Sequence, residues 1–146
     1  MKKKTVVITG AGSGLGREAA IELAKRGHSV IATTMYEKQA QEINTLANDR
    51  RIDLKSFKLD INLENDRNKL KELDFDVLIN NAAIGDSGSI ADISVDRIEN
   101  VFETNVFSNI KITQVALKNM IENKRGRVIF LSSLAGRISI PFLGPY

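Results

Sequence analysis

Short apolar runs rich in β-branched residues alternate along the chain with segments in which apolar residues recur at intervals of three and four. The first run, at 5–9, ends in glycines and is typical of a strand that is buried on both faces. Runs of this kind predict strands at 5–9, 29–33, 55–59, 76–79 and 127–131. The helical intervals predict helices at 14–26, 35–48, 63–73 and 95–123.

This alternation favours an α/β fold with a parallel sheet. Parallel neighbours need a crossover connection, and right-handed crossovers through helices cover both faces of the sheet. No linker, repeat or low-complexity tract divides the sequence. We therefore expect residues 1–146 to form one domain with a single core.

Composition excludes several classes of protein. The sequence has 146 residues and a formal net charge of +3, and its basic residues are mixed with acids except at 2–4, so we expect no nucleic-acid partner. With no cysteine and one histidine, it offers no disulfide framework, and we expect no metal site. No apolar run reaches membrane-spanning length, so we expect no membrane contact and a cytoplasmic location.

A glycine-rich turn follows the first strand. Gly10, Gly14 and Gly16 stand where the strand passes into the first helix, but their spacing matches neither the G-x-G-x-x-G fingerprint nor a Walker loop. Glycine allows a tight turn and a close approach of the backbone to a pyrophosphate, whose charge the free N–H groups of a helix start attract. The turn predicts a nucleotide site, and the alternative is a flexible loop.

The pattern Thr9-Gly10-x-x-x-Gly14-x-Gly16 resembles the cofactor motif of the short-chain dehydrogenase/reductase family, and later motifs follow in that family's order. The resemblance spans nearly the whole chain. It implies a Rossmann-type doubly wound parallel sheet with strand order 3-2-1-4-5, and it implies a nicotinamide cofactor, NAD(P). The residues that it implies for the cofactor in this turn are Gly10, Ser13, Gly14, Leu15 and Gly16.

The second strand runs into Thr34, a further candidate cofactor residue. An NAD enzyme usually places an acid here for the ribose 2′-hydroxyl, and the first acid is Glu37. Thr34 and Glu37 also fit a helix capping box, which we favour over a ribose ligand. The missing acid favours NADP, with Arg17 or Lys38 as conceivable partners of its 2′-phosphate.

The third and fourth strands end in polar residues, at the edge where doubly wound sheets bind ligands. By resemblance, Asp60 accepts a hydrogen bond from the adenine amino group and Ile61 lies along the ring. The alternative for Asp60 is an Asx turn or helix cap. By resemblance, Asn81 flanks the cofactor ribose, although Ala83 stands where the family has glycine.

The long predicted helix carries an asparagine within its apolar stripe, which comprises Ile98, Phe102, Ile112 and Ala116. An amide on a buried stripe must find hydrogen-bond partners. The segment 103–106 is similar to the family segment whose asparagine joins a proton relay through a water, which implies that role for Asn105. A structural hydrogen bond is the alternative.

Ser133 and Tyr146 complete the resemblance after the fifth strand. They are 13 residues apart, the family's usual separation, and Ser132 does not fit it. Carbonyl reduction needs a proton donor for the oxygen that gains charge, and a phenol beside a serine hydroxyl can supply it. The resemblance implies Tyr146 as general acid and base, Ser133 as the group that orients the substrate oxygen, and a small carbonyl or alcohol as substrate.

The family activates its tyrosine with a lysine four residues further on, and the sequence given ends at Tyr146. We expect these residues to be the amino-terminal part of a longer single-domain enzyme, with negligible turnover by themselves. We expect the sheet to be incomplete at the edge of the fifth strand and the complete enzyme to be a homo-oligomer.

Two other functions stay open at this point. One is a dinucleotide-binding module without catalysis, which the same glycine turn would serve. The other is a methyltransferase that binds S-adenosylmethionine, but this class places an acid just before the glycines, where the sequence has Thr9.

Overall fold

The computed structural model describes residues 2–146, and within them the strands form one parallel sheet in the order β3-β2-β1-β4-β5. The strands are β1 (Thr5–Ile8), β2 (Ser29–Thr34), β3 (Leu54–Lys58), β4 (Val77–Asn80) and β5 (Arg127–Phe130). Val7 on the central strand pairs with Ile31 on one side and Leu78 on the other. The predicted fold and strand order are confirmed, and the predicted strand ends differ by one residue.

Helices connect the strands. They are α1 (Gly14–Lys25), α2 (Glu37–Arg50), α3 (Glu64–Asn68), α4 (Val95–Phe102) and α5 (Asn109–Glu122). The predicted helix 63–73 changes to a 3-10 turn at Lys69–Glu72. A second 3-10 turn, Leu134–Gly136, follows β5.

The predicted helix 95–123 forms as one unbroken helical run, in which a π-helical segment, Glu103–Ser108, joins α4 to α5. A π turn inserts an extra residue and so rotates the helix face that follows it. Val101 is buried, whereas Phe102, which the sequence pattern placed on the apolar stripe, is 49% exposed. Ile112 and Ala116 are buried as predicted.

The predicted capping box at the start of α2 is also wrong. The helix begins at Glu37, and its N-cap is Tyr36, which makes no side-chain capping bond. Thr34 is fully buried, and its hydroxyl donates to the Tyr36 carbonyl at 2.9 Å. Thr34 therefore fixes the bend after β2 and does not cap the helix.

Apolar side chains cover both faces of the sheet, as in a doubly wound fold. Val7 and Ile8 point to opposite faces because side chains alternate along a strand. Ile8 packs with Ala20 of α1 and Ile43 of α2, and Val7 packs on the other face with Leu78 and Ile112 of α5. The apolar cluster between α5 and the sheet also includes Leu59, Leu70 and Ala116.

The outer edge of the sheet at β5 is open in the part of the chain that the structure describes. β5 pairs with β4 alone, and Ile129, Phe130 and Leu131 are exposed. An unpaired strand edge leaves N–H and C=O groups without ladder partners. The prediction of a sheet that is incomplete at this edge is confirmed.

Candidate functional site

A cavity of about 450 Å³ lies at the carboxyl ends of the strands, where the glycine turn, the end of β3 and the end of β4 meet. Most predicted cofactor residues line it. They are Gly10, Ser13, Leu15, Gly16, Asp60, Ile61 and Asn81. Gly14 and Thr34 do not line this cavity.

The glycine turn has the backbone that its sequence predicts. Gly10 and Gly14 have φ angles of +63° and +55°, in the left-handed region that favours glycine. A Cβ atom at Gly10 would lie 2.6 Å from Ala82 Cα, so a larger residue would push the turn away from β4. Gly14 thus shapes the turn, although it does not face the cavity.

Asn81 ties the end of β4 to the glycine turn. Its Nδ2 donates to the Thr9 carbonyl at 2.9 Å and to the Gly10 carbonyl at 3.0 Å. The buried Thr9 hydroxyl in turn accepts from the N–H groups of Asn81 and Ala82, each at 3.1 Å. These bonds hold the cavity floor in one geometry.

Asp60 makes the Asx turn that was the alternative interpretation. Its Oδ1 accepts from the Asn62 N–H at 2.9 Å. Oδ2 has no hydrogen-bond partner within residues 2–146, so the turn leaves one carboxylate oxygen free on a residue that lines the cavity.

The end of β2 contributes residues that the sequence interpretation missed. Met35, Tyr36 and Gln39 line the cavity, and the Gln39 side chain packs against Gly12. Arg17 and Lys38, the predicted phosphate partners, do not line it. Gln39 could have been found from its spacing, because it lies three residues after Tyr36 and residues three apart lie on the same side of a helix.

A second cavity of about 200 Å³ continues along the same edge toward β5. Its lining includes the three predicted catalytic residues Asn105, Ser133 and Tyr146, as well as Ser132. The two cavities share Ala82 and Ala83, which follow β4. The Ser133 Oγ accepts from the Ala135 N–H at 3.1 Å, so its own hydrogen stays available.

Asn105 lies half-buried in the π-helical segment, and both its amide oxygen and its amide nitrogen form a hydrogen bond. Oδ1 accepts from the Ile84 N–H and Nδ2 donates to the Ile84 carbonyl, both at 2.8 Å. These two bonds fix the loop after β4 against the π-helical segment. The relay role of Asn105 stays a prediction.

Two asparagines beside the second cavity each have a buried amide oxygen without a hydrogen-bond partner in the described residues. Asn80 and Asn109 line this cavity, and their Oδ1 atoms have no hydrogen-bond partner within residues 2–146. The Nδ2 of Asn109 donates to the carbonyls of Ala82 and Thr104, each at 3.0 Å, which sets the amide orientation. Unpaired buried acceptors of this kind call for a hydrogen-bond donor such as water.

Glu103, the first residue of the π-helical segment, forms an ion pair with Lys111 of α5. The hydrogen bond from Lys111, at 2.7 Å, lowers the pKa of the Glu103 carboxyl, and the bond from Ser108 adds to this effect. Glu103 is therefore ionised at neutral pH and joins the π-helical segment to α5.

Comparison with known proteins identifies the family. Residues 4–146 match the family model for short chain dehydrogenases. The chain is 36% identical to dehydrogenase/reductase SDR family member 7B of Xenopus laevis, over 100% of this chain and 49% of that protein. It is 32% identical to the uncharacterized oxidoreductase YusZ of Bacillus subtilis, over 100% of this chain and 54% of that protein.

Solved structures agree with the fold. An actinorhodin polyketide ketoreductase variant, crystallised with NADPH, superposes with a TM-score of 0.92 at 25% identity, over 99% of this chain and 58% of that one. The sheet order and glycine turn define a Rossmann-type domain. Together with the family match, they show that the chain belongs to the short-chain dehydrogenase/reductase family. The chain spans about half the length of the curated relatives that it matches.

Neither a membrane-spanning helix nor a metal-binding cluster is present in the described residues. No helix within residues 2–146 is both long enough and apolar enough to cross a membrane. The same residues hold no cluster of three or more histidine, cysteine, aspartate or glutamate side chains placed to bind a metal.

Proposed function

We propose that the protein is an oxidoreductase that transfers a hydride between NAD(P)(H) and a carbonyl or alcohol carbon. The observation that carries this proposal is the continuous edge formed by the two cavities, which share Ala82 and Ala83. One cavity is lined by the glycine turn and the other by Ser133 and Tyr146. A dinucleotide lying along this edge would bring its reactive end to the two hydroxyl groups.

The residues that hold the cofactor are those of the larger cavity. The N–H groups at the start of α1 attract the pyrophosphate, and Gly10 and Gly16 let it approach the backbone. Asp60 offers its free oxygen to the adenine amino group, with Ile61 along the ring and Asn81 beside a ribose. Thr34 and Gly14 serve by shaping the backbone around this cavity.

A preference for NADP over NAD follows from the end of β2. Met35, Tyr36 and Gln39 line this end of the cavity, and none carries a charge. A carboxylate at this position would accept from a ribose 2′-hydroxyl and repel a 2′-phosphate. The presence of NADPH with the actinorhodin ketoreductase variant supports the same preference.

The nicotinamide, when bound, supplies or accepts the hydride. Tyr146 donates a proton to the substrate oxygen during reduction and accepts it during oxidation. The Ser133 hydroxyl donates to the same oxygen and orients it, and its bond from Ala135 limits its rotation. Asn105 holds the Ile84 loop against the cavity and supports the proton relay at this end of the site.

We also propose a substrate class, a location and an oligomeric state for the enzyme. Its substrate is a small carbonyl or alcohol compound, its location is the cytoplasm and the complete enzyme is a homo-oligomer. Exposed apolar side chains on the outer faces of α4, the π-helical segment and α5 support association there. They are Phe102, Val106, Phe107, Ile110, Leu117 and Ile121.

Calorimetric titration tests the proposal. The purified chain is titrated with NADPH, NADH and S-adenosylmethionine. We expect binding of both nicotinamide nucleotides, with NADPH about tenfold tighter, because no acid opposes the 2′-phosphate. Binding of S-adenosylmethionine alone, or of no nucleotide, would contradict the function, and tighter binding of NADH would contradict the cofactor preference alone.

A further inference from the structure

Two neighbouring charged side chains on the short helix α3 are buried. Asp66 is 7% exposed and Arg67 is 8% exposed. Charged residues are rarely buried, because removing a charge from water costs free energy unless close partners offset it. A five-residue helix does not need such a pair in order to form, so their burial calls for another role.

Both side chains bind the backbone of the turn after β3. Asp66 Oδ2 accepts from the Asp60 N–H at 2.9 Å. Arg67 Nη1 donates to the Ile61 carbonyl at 2.7 Å. Together with the Asx bond that the Asn62 N–H donates to Asp60 Oδ1, these contacts fix three consecutive residues of the turn.

Lysines on both sides keep Asp66 charged. Lys58 Nζ lies 3.1 Å from Oδ2, and Lys69 Nζ lies 2.7 Å from Oδ1. Burial raises the pKa of Asp66, but the Asp60 N–H and the two ammonium groups outweigh it and lower the pKa to about 2. At neutral pH the carboxylate accepts every one of these bonds.

The contacts reach the nucleotide cavity only through the backbone. Asp60 and Ile61 line that cavity, and Asp66 and Arg67 do not. We propose that Asp66 and Arg67 are positioning residues that hold the Asp60 carboxylate and the Ile61 side chain where they read the adenine ring. The inference rests on the proposed function, because it assumes that a nicotinamide adenine dinucleotide binds at this edge.

A turn held in this way favours adenine over other bases. A carboxylate oxygen in a fixed position accepts from the adenine amino group, and it repels the carbonyl oxygen that replaces this group in hypoxanthine. Rigid placement before binding also removes the entropy cost of ordering the turn around the ligand.

The experiment compares two dissociation constants for each variant, those of NADPH and of its analogue in which hypoxanthine replaces adenine. We expect the wild-type chain to bind NADPH about tenfold more tightly than the analogue. In Asp66→Ala and Arg67→Met, the ratio of the analogue's dissociation constant to that of NADPH should fall from about ten to a value between about one and about three, since the turn is released. The conservative Asp66→Asn keeps an acceptor for the Asp60 N–H and should retain most of the preference.

A merely structural role would not change this ratio. Loss of folded protein weakens both ligands equally, so it cancels when one constant is divided by the other. Asp53→Asn is the matched control, because Asp53 also pairs with a lysine but lies before β3, at the opposite end of the strand. If Asp66→Ala does not fold, Arg67→Met decides the question.

The outcomes separate the two proposals. Wild-type protein that binds neither nucleotide overturns the proposed function and the inference with it. Wild-type protein that binds NADPH, together with variants that keep the wild-type ratio, overturns the inference alone. Equal binding of both nucleotides by the wild type also overturns the inference, since the adenine amino group is then not read.

Discussion

Gly16 is a residue of the nucleotide turn that leaves no room for a side chain. A Cβ atom at this position would lie 3.0 Å from the Gly10 carbonyl oxygen and 3.0 Å from Asn81 Cγ. Asn81 cannot move away freely, because its amide donates to two carbonyls of the turn. At Gly12, by contrast, the nearest atoms belong to the end of the Gln39 side chain, which can rotate away.

We therefore predict that Gly16→Ala weakens NADPH binding by about tenfold or more, and that Gly12→Ala changes it by less than about threefold. Alanine has the higher helix propensity, so a loss at position 16 reflects the clash with Asn81 and Gly10. Calorimetric titration of both variants measures the difference. Wild-type affinity in Gly16→Ala would show that the turn is not where the nucleotide approaches.

A residue of the candidate site could be predicted from the sequence where a single physical requirement, such as a positive φ angle, determines which amino acid stands there. Gly10 and Gly14 need positive φ angles, Asn81 directly follows β4, and Asp60 is the second residue after β3. Met35 and Gln39 were missed, because neither residue type marks a binding site and their place on the cavity depends on where α2 begins. Thr34 was assigned to a cap that the helix does not use.

The π-helical segment shows what periodicity cannot reveal at the level of the element. A hydrophobic pattern with a period of 3.6 tolerates one extra residue, so 95–123 was predicted as one helix. Asn105 lies within the widened turn Glu103–Ser108 and bonds to Ile84, and Phe102 just before this turn is exposed. The helix predicted at 63–73 is present, but its second half has 3-10 geometry, which the pattern likewise does not reveal.

The helix α3 also gives the chain a defined response to acid. The pKa of Asp66 is lowered from 3.8 to about 2, so the folded state holds this carboxylate ionised more strongly than the unfolded state does. Its contribution to stability is fully present above pH 3.8 and is lost as the pH falls toward 2.

We predict that the free energy of unfolding of the wild-type chain falls by about 2 kcal/mol more than that of Asp66→Asn between pH 5 and pH 2, as estimated from the shift. Urea unfolding of both proteins across this range measures the two slopes. Other carboxylates affect both proteins alike, so parallel curves would mean that Asp66 is not the group that titrates.

At the scale of the whole molecule, the parallel sheet explains how distant segments form one site. Thr9 and Asn81 are 72 positions apart, yet their strands are neighbours and end at the same edge. The alternation of strands and helices was enough to predict this edge, and the family resemblance supplied most of the candidate residues at it. It could not predict that the edge is divided into two cavities joined at Ala82 and Ala83, since this depends on side-chain packing.

The central claim is that a nicotinamide nucleotide lies along this edge with its reactive ring beside Tyr146. The sequence contains two tyrosines and no tryptophan, so Tyr36→Phe leaves Tyr146 as the only emitter and Tyr146→Phe leaves Tyr36. Tyr36 lines the cavity of the glycine turn and Tyr146 lines the other one. Energy transfer to a reduced nicotinamide falls steeply with distance, so the two emissions report which end the ring occupies.

The most direct test is therefore the quenching of tyrosine emission at saturating NADPH in these two single-tyrosine variants. We predict stronger quenching of Tyr146 than of Tyr36, and little quenching of either by 2′-phospho-ADP-ribose, which lacks the nicotinamide. Equal quenching, or stronger quenching of Tyr36, would place the ring away from Ser133 and Tyr146 and contradict the account.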